Sequence, residues 1–480
     1  MEPAPPPPRQ PAERLKWTTL HSWVKVFRAQ VRLRQVNHPA DLARVIQAGD
    51  YSIVGTSHSY NGIQLVDRTL AVHFGKSDPR RTSALHAITY DDATGEVEVG
   101  PSVLVRQVKQ FLARRGRRLI NSGSHMSQTV IGALVTGTHG YGPDATMADS
   151  VTQLVFLDGA GQEVVLRRGD DEFPFVAVSF GVIAPVIRLK LATVPFQQYR
   201  VSTRICRLSQ KAEFTQGADA VAFALFPYTR ADDPVIALNV LRATDGSLPP
   251  TAAPRPWPIV GRWGAAFLRF YWLFDRWVPG WRPWFQRKIE RFALGMQQEF
   301  ITTPDDLDYL YDPYPLVAGT RPPVILQQLF DPAYTGFEMA LFAPLDQTAA
   351  VLRRILALAQ EFRTANNFYL KSIIGVREMS TPSTLVFAGN HGGPAASIDI
   401  YSDLSAYAWL REVQNRVLRE FPAVRPHWAK SFIGPGFRQS VGAANLARLR
   451  DLHLTYYPNR NLRLSPDVEQ FLDLEPRPVP

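Results

Sequence analysis

The chain has 480 residues, 45% hydrophobic and 20% charged, with a net charge of +10 at pH 7 and a pI of about 9.7. These are globular proportions, sufficient for roughly two or three domains, and they exclude a disordered or fibrous class. Cys206 is the single cysteine, which excludes an intrachain disulfide or a cysteine-ligated iron–sulfur cluster within this chain and fits a reducing, cytoplasmic location.

Residues 1–16 begin MEPAPPPPRQP and read as a disordered, proline-rich tail without the basic start and apolar stretch of a secretory signal. From 17 to 196 the pattern is strand-rich with turns. Ser52-Ile53-Val54 is an apolar strand ending at Gly55, and Glu96-Val97-Glu98-Val99 alternates before the Gly100-Pro101 turn. Val103 to Arg115 has helical spacing. Val151–Leu157 and Val164–Leu166 flank Asp158-Gly159 as a hairpin, and Val186–Val194 alternates again. This is an α+β domain rather than a regular βαβ series.

Residues 197–430 read as a second α+β domain with a mainly antiparallel sheet. Strands are expected within Gln197–Val240 and Val324–Ser402, and amphipathic helices at Gln347–Phe362 and Ala406–Phe421. An insert at 248–296 holds six tryptophans among many arginines. Residues 431–480 are expected to return to the first domain. No run reaches about 18 uninterrupted apolar residues, so no membrane span is expected. The basic balance favours anionic partners, but there is no dense Lys/Arg block and no metal-ligand spacing, so neither nucleic acid nor a metal is expected.

Two glycine-bearing stretches carry chemistry. The first, Gly55-Thr56-Ser57-His58-Ser59-Tyr60-Asn61, follows a strand. Small residues there let backbone N–H groups approach a diphosphate. It is neither a P-loop nor the Gly-x-Gly-x-x-Gly fingerprint. The second, Asn121 to Gly140, spaces Gly132, Gly137 and Gly140 among small polar residues, which suits a backbone pressed against a flat ligand.

These residues resemble the vanillyl-alcohol-oxidase-type (PCMH-type) FAD-binding oxidoreductases, most of all alditol and sugar-1,4-lactone oxidases. Gly55–Asn61 matches their Gly-x-x-His-Ser-(Phe/Tyr)-Asn loop. Gly137-Thr138-His139-Gly140 matches their Gly-Thr-His-Gly turn, and His427-Trp428-Ala429-Lys430 their His-Trp-(Gly/Ala)-Lys motif. The resemblance implies a two-subdomain FAD-binding domain plus a substrate domain. It implies FAD bound covalently through His58, with cofactor contacts from Gly55, Thr56, Ser57, Ser59, Tyr60, Asn61, Ser124, Thr129, Gly132, Gly137, Thr138, His139 and Gly140. It also implies backbone contact to adenine from Val182 or Ile183, although Ala184-Pro185 departs from the usual Gly-x-Leu-Gly pattern. A hydrogen-bonded loop histidine with non-covalent flavin is the competing reading of His58.

The implied reaction is oxidation of CH–OH, with hydride passing to the flavin and then to oxygen or another acceptor. Lys430 is the candidate for the substrate hydroxyl, as base or hydrogen-bond partner. Ser124 is expected beside flavin and substrate. Relatives carry Glu-x-Arg on a strand facing the flavin; here the triplet is Gly375-Val376-Arg377, with the arginine kept and the glutamate missing. Phe368-Tyr369-Leu370-Lys371 resembles a segment of decaprenylphosphoryl-ribose oxidases, which makes Lys371 a further candidate.

In the insert, Gly261–Val278 reads as a basic, aromatic amphipathic helix, with Arg262, Arg269 and Arg276 on one face. It suits peripheral contact with an acidic membrane or, equally, an apolar cap. The substrate expected is thus a small polyol, sugar or lactone. The alternatives are a lipid-linked alcohol taken by a membrane-associated dehydrogenase or epimerase subunit, and a flavin-binding protein without turnover.

Overall fold

The computed structural model describes residues 15–475 except 24, 76–82, 124, 141–145, 226, 228–231, 245–297, 303–335, 367–369, 371–373, 383–388, 435–436 and 439–440. Ser124, Lys371 and the whole tryptophan-rich insert therefore lie outside the described residues, as does the first part of the Val324–Ser402 strand region.

Among the described residues the strands form three sheets. The first has order β1-β2-β4-β3, from β1 (Trp17–His21), β2 (Arg28–Gln35), β3 (Ser52–Ile53) and β4 (Leu70–His73). β2 and β3 both run parallel to β4, so the chain must cross over between them. Helix α1 (Pro39–Ala48) makes that crossing, with Pro39 in its first turn and Leu42, Val45 and Ile46 buried. Each buried aliphatic of this kind is worth about 1.5–3 kcal/mol.

The second sheet is antiparallel and follows the order β5 (Ile88–Asp91), β6 (Glu96–Val99), β10 (Val186–Pro195), β8 (Val151–Leu157), β9 (Glu163–Arg167), with β7 (Arg117–Leu119) on the end of β10. Helix α2 spans Val105–Ala113, shorter than the spacing predicts. Leu104 is extended and bridges Thr129, which delays the helix start. The β8–β9 connection runs through Asp158, whose carboxylate accepts the Ala160 and Gln162 N–H groups at 2.9 and 2.8 Å.

The third sheet has eight strands, ordered β14 (Gln298–Thr302), β11 (Tyr199–Arg207), β13 (Val235–Ala243), β12 (Ala220–Leu225), β16 (Ile374–Met379), β17 (Ala395–Asp403), β15 (Gly336–Pro344), β18 (Arg425–Pro426). Every pairing in it is antiparallel. Alternation gives it two unlike faces. Met339, Leu341, Ile374, Val376, Ile398 and Ile400 share one core with α4 (Thr348–Asn366) and α5 (Tyr407–Glu420). The other face carries Glu338, Arg377, Ser397 and Asp399.

The C-terminal helices α6 (Ala443–Tyr456) and α7 (Pro466–Phe471) bury Leu449, Leu452, Val468 and Phe471 in the core that also holds Val97, Val155 and Leu189 of the second sheet. Leu462 pairs in parallel with Tyr51 beside β3. The end of the chain is thereby tied to the first two sheets.

Candidate active site

The strand β3 ends at Ile53, and the loop that follows lines an open cleft of about 1150 Å³. Gly55, Thr56, Ser57, His58 and Ser59 form one wall. Ser57 holds a φ of +57°, sparsely populated by residues other than glycine and a mark of a loop held for a purpose. The opposite wall comes from the second stretch. There the Thr129 hydroxyl accepts the Gly132 N–H at 3.1 Å and caps α3 (Val130–Val135), placing Thr129, Ile131, Gly132 and Thr136 along the cleft.

Glycine is required where the turns touch. A Cβ on Gly140 would sit 1.6 Å from the Ser122 carbonyl oxygen, and one on Gly123 would sit 2.3 Å from Thr138 Cγ2. Gly137 adopts a φ of +72°, the left-handed turn its motif demands.

Not every expected cofactor contact faces the cleft. Val182 and Ile183 are fully buried and line neither cavity. The Val182 N–H donates to the Ser179 oxygen and its carbonyl accepts from His453 Nδ1, so Val182 has no free backbone group to offer; Gly181 and Ala184 face the cleft instead. Asn61 turns away as well: its amide donates to the carbonyls of Trp428 at 2.6 Å and Ser431 at 2.9 Å. It fastens the first loop to the His427–Lys430 segment, helped by the Tyr60 N–H on the Ala429 oxygen. Gly137 and Gly140 shape the turn without lining either cavity.

A second pocket, of about 430 Å³, adjoins the cleft. Tyr60, His125, Thr138, His139, Arg377, His427 and Lys430 line it, while His58, Gln128, Thr136 and Ala429 line both spaces. His58 stacks on Trp23 at 4.3 Å, and its Nδ1 and Nε2 each meet a hydroxyl at 2.8 Å, from Thr56 and Ser127.

The pocket's imidazoles are neutral. Burial lowers His58 to about 3, with His125 adding repulsion. Burial likewise lowers His125 to about 4 and His427 to about 3, and drives His139 well below its ordinary value. Lys430 is the opposite case. Burial alone would discharge it, but its Nζ lies 2.9 Å from Asp399 Oδ1 and 2.8 Å from Glu338 Oε1, and these carboxylates shift it upward. Burial would also raise Asp399, yet Lys430 and Arg377 prevail and hold it well below the usual carboxylate range.

The residues fit FAD. Both amide atoms of Gln64 and Oε1 of Gln128 are buried without a hydrogen-bond partner among the described residues, and both side chains line the cleft. Such orphans need a ligand or water. Arg463, from the C-terminal segment, is the one Lys or Arg among the described residues that line the cleft; its Nη1 pairs with Asp50 Oδ2 at 2.9 Å, and it brings a guanidinium suited to a diphosphate. Sequence reasoning missed Gln64, Gln128, His125, Arg463, Glu338 and Asp399. His125 and Gln128 stood within the quoted second loop; the others belong to no motif.

The comparisons agree with this geometry. Residues 31–167 match the FAD binding domain family. The chain is therefore an FAD-dependent oxidoreductase with an FAD-binding domain of the PCMH-type fold. Its relatives by sequence are sugar-lactone enzymes. It is 24% identical to the D-arabinono-1,4-lactone oxidase of Yarrowia lipolytica, over 83% of this chain and 81% of that one. It is 29% identical to the L-gulono-1,4-lactone dehydrogenase of Mycobacterium tuberculosis, over 36% of this chain and only 40% of that protein. In fold it is similar to the cholesterol oxidase of B. sterolicum, with a TM-score of 0.72 at 13% identity, covering 98% of this chain and 100% of the other.

Proposed function

We propose that the chain oxidises the CH–OH group of a sugar-lactone-type small molecule in the Lys430–Arg377 pocket. The observation that carries this reading is that the cofactor cleft and that pocket share His58, Gln128, Thr136 and Ala429 as walls. Bound FAD supplies the hydride acceptor. The chain must orient the substrate, take its hydroxyl proton and keep water out.

Arg377 and charged Lys430 are donors suited to substrate oxygens. Held as an ammonium by two carboxylates, Lys430 acts as a hydrogen-bond donor rather than a base. His139 is placed to accept a hydrogen bond from the substrate hydroxyl: it is 3% exposed, and neither ring nitrogen has a partner among the described residues. The lactone assignment draws on the names of the sequence relatives. Anaerobic mixing with D-arabinono- or L-gulono-1,4-lactone is expected to bleach the visible absorbance of the flavin. Bleaching by a sterol or lipid-linked alcohol alone would reject the assignment. Peroxide release in air then distinguishes oxygen from another acceptor.

Covalent attachment through His58 belongs to the same proposal. Its support is a neutral ring between the two cavities. His58→Ala is expected to keep FAD in the native protein and lose it on denaturation; flavin that stays attached would reassign the site. Peripheral contact with an acidic membrane rests on residues 248–296, and co-sedimentation with acidic vesicles tests it. No helix among the described residues is long and apolar enough to cross a membrane.

A further inference from the structure

Gly375, which stands where the relatives' glutamate is missing, is directly opposite Asp399 in the β16–β17 register. Directly opposed residues point to the same face of a sheet. A Cβ on Gly375 would sit 3.9 Å from the Asp399 side chain and 3.8 Å from its carbonyl oxygen. A carboxylate is thus already present one strand over. Asp399 is 8% exposed, and its Oδ2 accepts from Ser397 Oγ at 3.0 Å while Oδ1 accepts from Lys430. Glu338, on the far side of β17, accepts from the same Nζ.

We infer that Asp399, assisted by Glu338, supplies the carboxylate that position 375 lacks and is the positioning group of the pocket, fixing Lys430 as a donor for an uncharged oxygenated substrate. The inference rests on the proposed oxidation at this pocket and names its substrate more narrowly. An ammonium has three N–H donors. Two are taken by Asp399 and Glu338, and Lys430 lines the pocket, so the third serves a ligand oxygen. The charges also balance. Lys430 and Arg377 are positive, Glu338 and Asp399 are negative, and His125, His139 and His427 are neutral. A neutral lactone or polyol suits this balance. An aldonate or a sugar phosphate would bring an uncompensated charge into a low-dielectric site.

The experiment is a carboxylate transfer between strands. Asp399→Asn is expected to lower kcat/KM for the lactone about 10²-fold, the scale of misplacing a positioned group. It is also expected to raise the aldonate-to-lactone rate ratio. Adding Gly375→Glu to Asp399→Asn is expected to restore much of the lactone activity. Unaltered kcat/KM and ratio in Asp399→Asn, or no rescue by the double variant while it still binds FAD, would overturn the inference.

A second readout does not depend on turnover. The flavin spectrum of the wild type is titrated from about pH 7 to 9, below the range of an ordinary lysine. Wild type is expected to show no Lys430 step, whereas Asp399→Asn is expected to show one that Lys430→Met removes. Identical titrations of wild type and Asp399→Asn would refute the lock, even if no lactone proves to be a substrate. A clear step in Asp399→Asn with no lactone turnover by wild type would uphold the lock and reject the substrate reading alone.

Discussion

The two sides of the candidate active site are built differently. The cofactor side is made of two continuous loops, Gly55–Asn61 and Asn121–Gly140, whose backbones must pass close to each other and to a ligand. The substrate side is one face of an eight-stranded sheet, where Glu338, Arg377 and Asp399 come from three strands and meet Lys430 from a fourth segment. Backbone demands leave local marks, because only glycine fits where a Cβ would sit 1.6 Å from a carbonyl oxygen, and glycine is favoured in a left-handed turn. A side-chain cluster set by register leaves none.

The largest effect that would sharpen this contrast is expected from Gly140→Ala. The added methyl would overlap the Ser122 backbone, which cannot swing aside as a side chain would. Loss of flavin-loaded soluble protein is expected, read as the ratio of visible to protein absorbance. A variant with normal flavin content would break the claim that backbone contact dictates this side.

Next in size is an acid sensitivity on the pocket side. Burial lowers His125 to about 4, His427 to about 3 and His139 well below 6.5, while in the unfolded chain each titrates near 6.5. The unfolded state therefore binds more protons in this window. The stabilisation is complete above about pH 6.5 and is lost as pH falls toward the folded values, by up to about 1.4 kcal/mol per pH unit for each ring. Calorimetry at about pH 5 is expected to show uptake of close to one proton per ring on unfolding. A melting temperature flat between about pH 7 and 5 would contradict burial of these rings.

The smallest effect concerns the link between the two sides. Asn61→Ala removes the two bonds to the Trp428 and Ser431 carbonyls and leaves buried acceptors unpaired, at a cost of about 1–3 kcal/mol. Stability measured by denaturant should fall by that amount, with kcat/KM reduced because Lys430 lies between those carbonyls. An unchanged midpoint would show that the linkage is incidental.

This contrast also explains what the sequence disclosed. The strand Glu96–Val99 and the hairpin around Asp158 were legible because alternation and turn residues act over a few positions. His58, Arg377 and Lys430 were legible through motifs, and the structure brings all three to adjoining spaces. Asn61 matched a motif too, but its task is mechanical. Glu338 and Asp399 were not legible, since their meaning depends on β15, β16 and β17 lying side by side in one register. Val182 and Ile183 line neither cavity, and the Val182 N–H and C=O are spent within the protein, against Ser179 and His453.

His58, in the wall shared by the flavin cleft and the substrate pocket, is the proposed point of covalent flavin attachment. An intact-mass spectrum of the denatured wild-type protein, followed by peptide mapping, tests this most directly. The mass of the chain plus FAD, with the addition on the peptide that contains His58, is the expected result. An unmodified chain, or flavin bonded to a peptide without His58, would contradict it.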